Sequence, residues 1–235
     1  MADKKVTVET VETNEVITKA KDFWAKFSKP IIYVGGALIL GIGGWYGYKN
    51  YVKLPNEEKA SEMIFPAEHL FDKMSQTGFN KDSINLVLNG GKDITAGVLK
   101  VISNYGGTDA GNRAHFIAGL CYLHNKDFNN AVKQLTAFST KATQIQAVAY
   151  SATGDAYAEL KKNDEAFDQY KKAISVNAKD EFMTPEALYK AALFAETIGK
   201  TKEAIEFLQR IKEEFPKNSH ANDVDKYLAR LGVNS

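Results

Sequence analysis

The octad His115-Phe116-Ile117-Ala118-Gly119-Leu120-Cys121-Tyr122 returns 35 residues later as Tyr150-Ser151-Ala152-Thr153-Gly154-Asp155-Ala156-Tyr157. Each carries a large residue, a small one three positions on, then glycine, then tyrosine three beyond. After a polar turn each is followed by alanine and a large residue four positions further, Ala131 and Leu135 in one case, Ala166 and Tyr170 in the other. Spacings of three and four place these residues on one face of a helix, so each copy reads as two helices joined by a short turn. A third copy follows with Leu188, Ala191, Ala192 and Ala195, then Ala204, Leu208, Ile211 and a terminating Pro216. It has alanine where the first two have glycine and tyrosine.

The offsets have a packing reason. Gly119, Gly154 and Ala192 on the first helices are expected to face Ala131, Ala166 and Ala204 on the second, where bulk would force the backbones apart. Tyr122, Tyr157, Leu135, Tyr170 and Leu208 then fill the wedge between hairpins. The interval is close to the roughly 34 residues of a tetratricopeptide repeat, and the pattern is that repeat's signature. Turns are expected at Asn125–Asp127, Lys161–Asp164 and Gly199–Thr201, and Thr184-Pro185-Glu186 reads as a capped helix start with proline in its first turn. The expected fold is all-α, a tetratricopeptide-like solenoid of helical hairpins preceded by one N-terminal transmembrane helix.

Upstream, Ala60, Met63, Ile64, Ala67, Leu70, Phe71 and Met74 recur at helical spacing, with Pro66 expected to kink the helix. Ile94, Val98, Val101 and Ile102 mark a shorter helix ended by Gly106-Gly107, read as half of a degenerate hairpin. Val224, Tyr227, Leu228 and Leu231 suggest a helix that caps the array. No strand-like alternation is long enough to matter.

From Ile31 to Tyr48 the chain has 18 residues without a charge. As a helix they extend about 27 Å, close to the thickness of a hydrocarbon core. Lys26 and Lys29 precede the run, Lys49 and Lys53 follow it, and Trp45, Tyr46, Tyr48 and Tyr51 cluster at one end as an interfacial belt would. Six glycines in the run suit a membrane helix better than a helix buried in a soluble core. A cleaved leader fits worse, because the run begins behind a polar stretch and ends in aromatics and lysines. Gly43 with Gly47, and Ala37 with Gly41, form small-x3-small pairs that would let a second helix approach, or that arise simply from glycine-rich composition. Four lysines within about fifteen residues before the span and three after it give little orientation bias. Export of the long C-terminal part is the simpler insertion route. The expected divisions are residues 1–29 as a cytoplasmic tail, 30–49 as the span, 50–108 as membrane-proximal helices with the half-repeat, and 109–235 as the repeat array.

Composition removes several classes. With 30 basic and 29 acidic residues the net charge is +1, which argues against a nucleic-acid footprint. The first 48 residues hold six lysines and five acids, which leaves the remainder balanced at 24 of each. One cysteine, Cys121, removes disulfide scaffolds and thiolate zinc sites, and four histidines make a metal centre improbable. Gly90-Gly91 and Gly106-Gly107 lack the lysine and hydroxyl of a phosphate loop, and no nucleophile stands in a recognisable motif. No catalytic, metal or cofactor site is expected.

Asn104-Tyr105-Gly106-Gly107-Thr108, Gly119-Leu120-Cys121-Tyr122, Gly154 to Leu160 and Ile211 to Pro216 resemble membrane-anchored tetratricopeptide proteins of Bacteroidetes-type bacteria. A short tail, one span and an exported repeat domain are also the architecture of the YfgM-like family, the ancillary subunit of the Sec translocon. That resemblance implies an inner-membrane protein with periplasmic repeats that binds translocon subunits, secreted chains or chaperones. A self-associating structural scaffold of an envelope or division complex is the alternative.

In such repeats the first helices line a concave face. Alignment of the copies puts Arg113, Phe116, Leu120, Leu123 and His124 there, then Ser151, Asp155 and Glu159, then Glu186, Tyr189, Leu193 and Glu196. This mixture suits a segment with apolar anchors and basic companions, with only Arg113 and Lys190 supplying positive charge nearby. Phe116 and Leu120 would be plain core if the preceding helix covers them. His115 is expected to pack, and His124 to sit at a helix end where positive charge is favoured.

Overall fold

A computed structural model describes residues 3–233. The chain divides into two compact units, Met1–Pro55 and Asn56–Ser235.

The first unit is the helix α1 (Asp3–Tyr48) followed by a π-helical turn (Lys49–Lys53). From Asp3 onward the segment expected as a tail is therefore helical and continuous with the apolar run, with Pro30 inside the helix. One window of this helix is apolar enough and long enough to cross a membrane, with mean hydropathy 1.4 and none of its residues buried. A Cβ added at Gly43 or Gly47 would meet no atom within 4 Å. At the far end the Lys49 ammonium lies 5.2 Å from the Trp45 ring centre, and Asn50 Nδ2 donates to the Tyr46 carbonyl at 2.8 Å.

The regular elements described in the second unit are helices: α2 (Leu54–Thr77), α3 (Lys81–Asn89), α4 (Val98–Tyr105), α5 (Asp109–His124), α6 (Phe128–Ala137), α7 (Thr143–Glu159), α8 (Asn163–Val176), α9 (Met183–Thr197), α10 (Thr201–Glu214), a 3-10 turn (Ser219–Asn222) and α11 (Val224–Arg230). Consecutive helices pack as hairpins, α5 with α6, α7 with α8 and α9 with α10. Two apolar clusters hold the unit together. One joins Ala60, Ile64, Ala67 and Met74 of α2 to α3, α4 and the inner face of α5; the other joins α8 to α11 through Tyr170, Leu188, Leu208, Ile211 and Val224.

The three hairpin turns share one geometry. Lys126, Lys161 and Gly199 have φ of 62°, 60° and 77°. In each, the next N–H reaches back to the carbonyl five residues earlier, Asp127 to Tyr122, Lys162 to Tyr157 and Lys200 to Ala195, at 2.8–2.9 Å. This is the Schellman closure, which satisfies the carbonyls that a helix end leaves open.

Several expectations need correction. At the first-helix glycines the nearest neighbours are the large residues of the second helix: a Cβ on Gly119 would lie 2.5 Å from Leu135 Cγ, and one on Gly154 2.7 Å from Tyr170 Cε1. Each glycine thus leaves space for the large residue four positions beyond the alanine. Ala131, Ala166 and Ala204 are fully buried, and Ala192 is 1% exposed. Tyr122 and Tyr157 are half-buried and pack against the two apolar clusters. Thr184 is not a cap; its hydroxyl donates to the Asn177 carbonyl, while Asp180 Oδ1 accepts from the N–H groups of Phe182 and Met183. Ile94 precedes α4 rather than belonging to it, and α2 continues through Pro66. Pro216 does follow the end of α10 directly beyond its C-cap, Phe215.

Candidate protein-binding groove

Local structure around α5 begins at its first turn. Thr108 Oγ1 accepts from the Gly111 N–H at 2.9 Å. The Glu57 carboxylate of α2 then takes two further open donors, the N–H groups of Asp109 at 2.7 Å and Ala110 at 3.0 Å. A negative charge at this end of a helix is favoured by the helix dipole, so α2 and α5 are fixed at this level. One turn on, Arg113 Nε donates to Glu68 Oε1 at 2.7 Å, and this bond raises the guanidinium's proton affinity further.

Between α2, α5, the α6–α7 connection and α7 these contacts leave a groove of about 1020 Å3, which also reaches Met183 at the start of α9. Phe116 forms its wall, tilted against Phe138 with ring centres 5.0 Å apart. Ile145 stands 46% exposed beside it. The far edge is pinned: Asn112 Nδ2 donates to the Ser139 carbonyl at 2.8 Å, and the Ser139 N–H returns to Asn112 Oδ1 at 3.1 Å. Gln144 Nε2 donates to Asp180 Oδ2 at 3.0 Å; this bond and, more strongly, the Met183 N–H hold the Asp180 carboxyl below its usual range. Asp72, Asp109 and Lys141 supply charge at the rim.

Of the twelve residues expected on the concave face, only Arg113 and Phe116 line this groove. Leu120 packs half-buried against the core of α2 to α5, and Leu123 and Ser151 are half-buried. His124 stacks on Phe79 of the α2–α3 connection at 3.7 Å, and desolvation there lowers its pKa. His115 is half-buried with Nδ1 2.7 Å from Gln134 Oε1. Asp155 accepts from the Tyr170 hydroxyl at 2.8 Å and from Lys190 Nζ at 2.7 Å, so Lys190 is spent on a neighbouring helix. Glu159 is exposed and Leu193 half-buried. Glu186 meets His220 at 2.6 Å, the Tyr189 ring stacks on His220 at 4.2 Å, and Glu196 pairs with Arg230. Asp155 thus ties α7 to α9, while Glu186, Tyr189 and Glu196 tie α9 to the 3-10 turn and α11. Glu68, which also lines the groove, lies in a segment that repeat alignment does not reach, and Phe138 follows the second helix of copy one, outside the first-helix positions that were aligned.

Stacked helical hairpins with a groove along their first helices define a protein-interaction module. The tetratricopeptide repeat-like domain family matches residues 21–153, more than half the chain, and the protein belongs to that family. Single tetratricopeptide repeats match again at residues 147–180 and 186–218, over α7–α8 and α9–α10. No curated protein matches the chain.

Proposed function

We propose that the chain is a single-pass inner-membrane protein whose exported repeats bind other polypeptides beside the Sec translocon and hand secreted chains to chaperones. The division into tail, span, membrane-proximal helices and repeat array at residues 29/30, 49/50 and 108/109 goes with this reading. The observation that carries the binding role is the groove, in which Phe116, Phe138 and Ile145 give apolar lining beside the charged Glu68, Asp72, Asp109, Arg113 and Lys141. Such a surface takes an extended or helical segment with apolar anchors. A photo-crosslinking residue placed at Ile145 in intact cells is expected to capture secreted chains and translocon subunits. A reporter fused after Ser235 should be inactive if it requires the cytoplasm, and activity there would overturn the exported assignment.

The open faces of Gly43 and Gly47 favour a second reading, a self-associating scaffold of an envelope or division complex. Cysteines at these two positions would crosslink copies of the chain in the membrane under that reading, and adducts at Ile145 would then be mainly with the chain itself or with cell-wall proteins.

A further inference from the structure

The stretch of α1 just before the span has its own amphipathic pattern. At about 100° per residue, Val16, Ile17, Ala20, Phe23, Trp24 and Phe27 fall within an arc of about 120°. Thr18, Lys19, Lys21, Asp22, Ala25, Lys26, Ser28 and Lys29 occupy the rest of the circumference. The segment is helical throughout, yet its apolar stripe stands in the open: Val16 is 67% exposed, Phe23 and Trp24 are each 56%, and Phe27 is 39%. Phe23 and Phe27 lie ring to ring at 4.9 Å, and the Lys26 ammonium sits 5.4 Å from the Phe27 ring centre.

Two observations say what covers the stripe. Four lysines stand against one aspartate over these residues, so the polar arc is strongly basic. The stripe also runs directly into the apolar span, which places it at the surface of whatever bilayer the span enters. Pro30 separates the two segments, and having no N–H it cannot donate to the Lys26 carbonyl, so the helical ladder is already open at the boundary.

We propose that residues 16–29 form an interfacial helix that lies along an anionic lipid surface, hinged at Pro30 to the span. Its aromatic stripe enters the acyl boundary while Lys21, Lys26 and Lys29 meet lipid phosphates. The inference rests on the single-pass reading given above, and the chain's two tryptophans, Trp24 and Trp45, allow the two ideas to fail separately.

The test uses the full-length chain in vesicles of phosphatidylcholine, with or without one-quarter phosphatidylglycerol, carrying acyl-brominated lipid as quencher. Trp45→Phe leaves Trp24 as the only indole, and Trp24→Phe leaves Trp45. Trp45 quenched in both vesicle types reports an inserted span. Trp24 is then expected to be blue-shifted and quenched more in the anionic vesicles, with the difference removed by raised salt. Lys21→Gln and Lys26→Gln should each lower the bound-to-free ratio about five-fold. Trp24 that emits as in water while Trp45 is quenched would overturn the interfacial helix and leave the span standing. Trp24 shielded from bromolipid to an extent that rises with protein-to-lipid ratio would also overturn it, assigning the stripe to a second copy of the chain. If neither tryptophan is quenched, the span and the interfacial helix fall together.

Discussion

Gly154 has no room for a methyl group, since Tyr170 Cε1 and Cδ1 lie 2.7 and 2.9 Å from where one would stand. Replacing helix-interior glycine by alanine gains about 1 kcal/mol in propensity, while overpacking a core costs about 1–3 kcal/mol. Gly154→Ala is therefore expected to destabilise the protein by about 1 kcal/mol in urea denaturation, and Gly119→Ala by more, because the Leu135 backbone nitrogen stands 3.1 Å away and cannot rotate aside. The glycines themselves were legible in the sequence. Their partners were not, because alanine and the large residue four positions later share a face, and only the crossing of the helices decides between them. Cys121 gives a second test at this scale. It is fully buried, and burial pushes its thiol up to about 12. The unfolded thiol ionises near 8.5, so above that pH the unfolded chain releases a proton that the native chain keeps, and this contribution to stability falls as pH rises towards 12. Iodoacetamide at pH 8 is expected to leave the native protein unmodified and to alkylate it fully in denaturant.

Among the elements, the hairpin turns set a common demand that the sequence answers unevenly. Each needs one residue in the left-handed region; Gly199 meets it freely, whereas Lys126 and Lys161 carry a side chain there. That conformation costs a non-glycine residue about 1–2 kcal/mol, set against about 0.5–1 kcal/mol for the greater freedom glycine loses on folding. Lys161→Gly should accordingly raise the unfolding free energy by about 0.5–1 kcal/mol, and Gly199→Lys should lower it by a similar amount, both measurable by thermal or urea melts. Helix α3 escaped the sequence reading for a different reason. Ile84, Val87 and Leu88 at offsets of three and four, with Asn80 accepting from the Ser83 N–H, were the available signal, but nine residues between Gly78 and the Gly90-Gly91 pair give little periodicity to detect. The glycines after it shape a tight turn rather than a ligand loop: Gly91 N–H donates to the Ile94 carbonyl at 2.7 Å, and a Cβ on Gly97 would lie 2.3 Å from the Leu88 carbonyl oxygen.

Across the whole molecule, the hairpins were readable because their core positions repeat with the chain. The groove was only half readable, since Glu68 and Arg113 are 45 residues apart and belong to no common period. Phe116→Ala and Ile145→Asp are expected to weaken capture of polypeptide partners in pull-downs at least several-fold while leaving the helical circular dichroism unchanged; loss of helicity in both would instead make the wall structural. Ion pairs between successive units of the stack show a further regularity. Asp155 holds Lys190 across 35 residues, Glu186 holds His220 across 34, and Glu196 holds Arg230 across 34, with Asp164 near Lys200 at 3.7 Å. In every such pair the acid comes first in the chain and its partner base one unit later. The array consequently has a directional grammar: duplicating the α7–α8 hairpin in tandem would set one Asp155 against another, so simple copying of a unit places like charges along the seam unless they are rewritten.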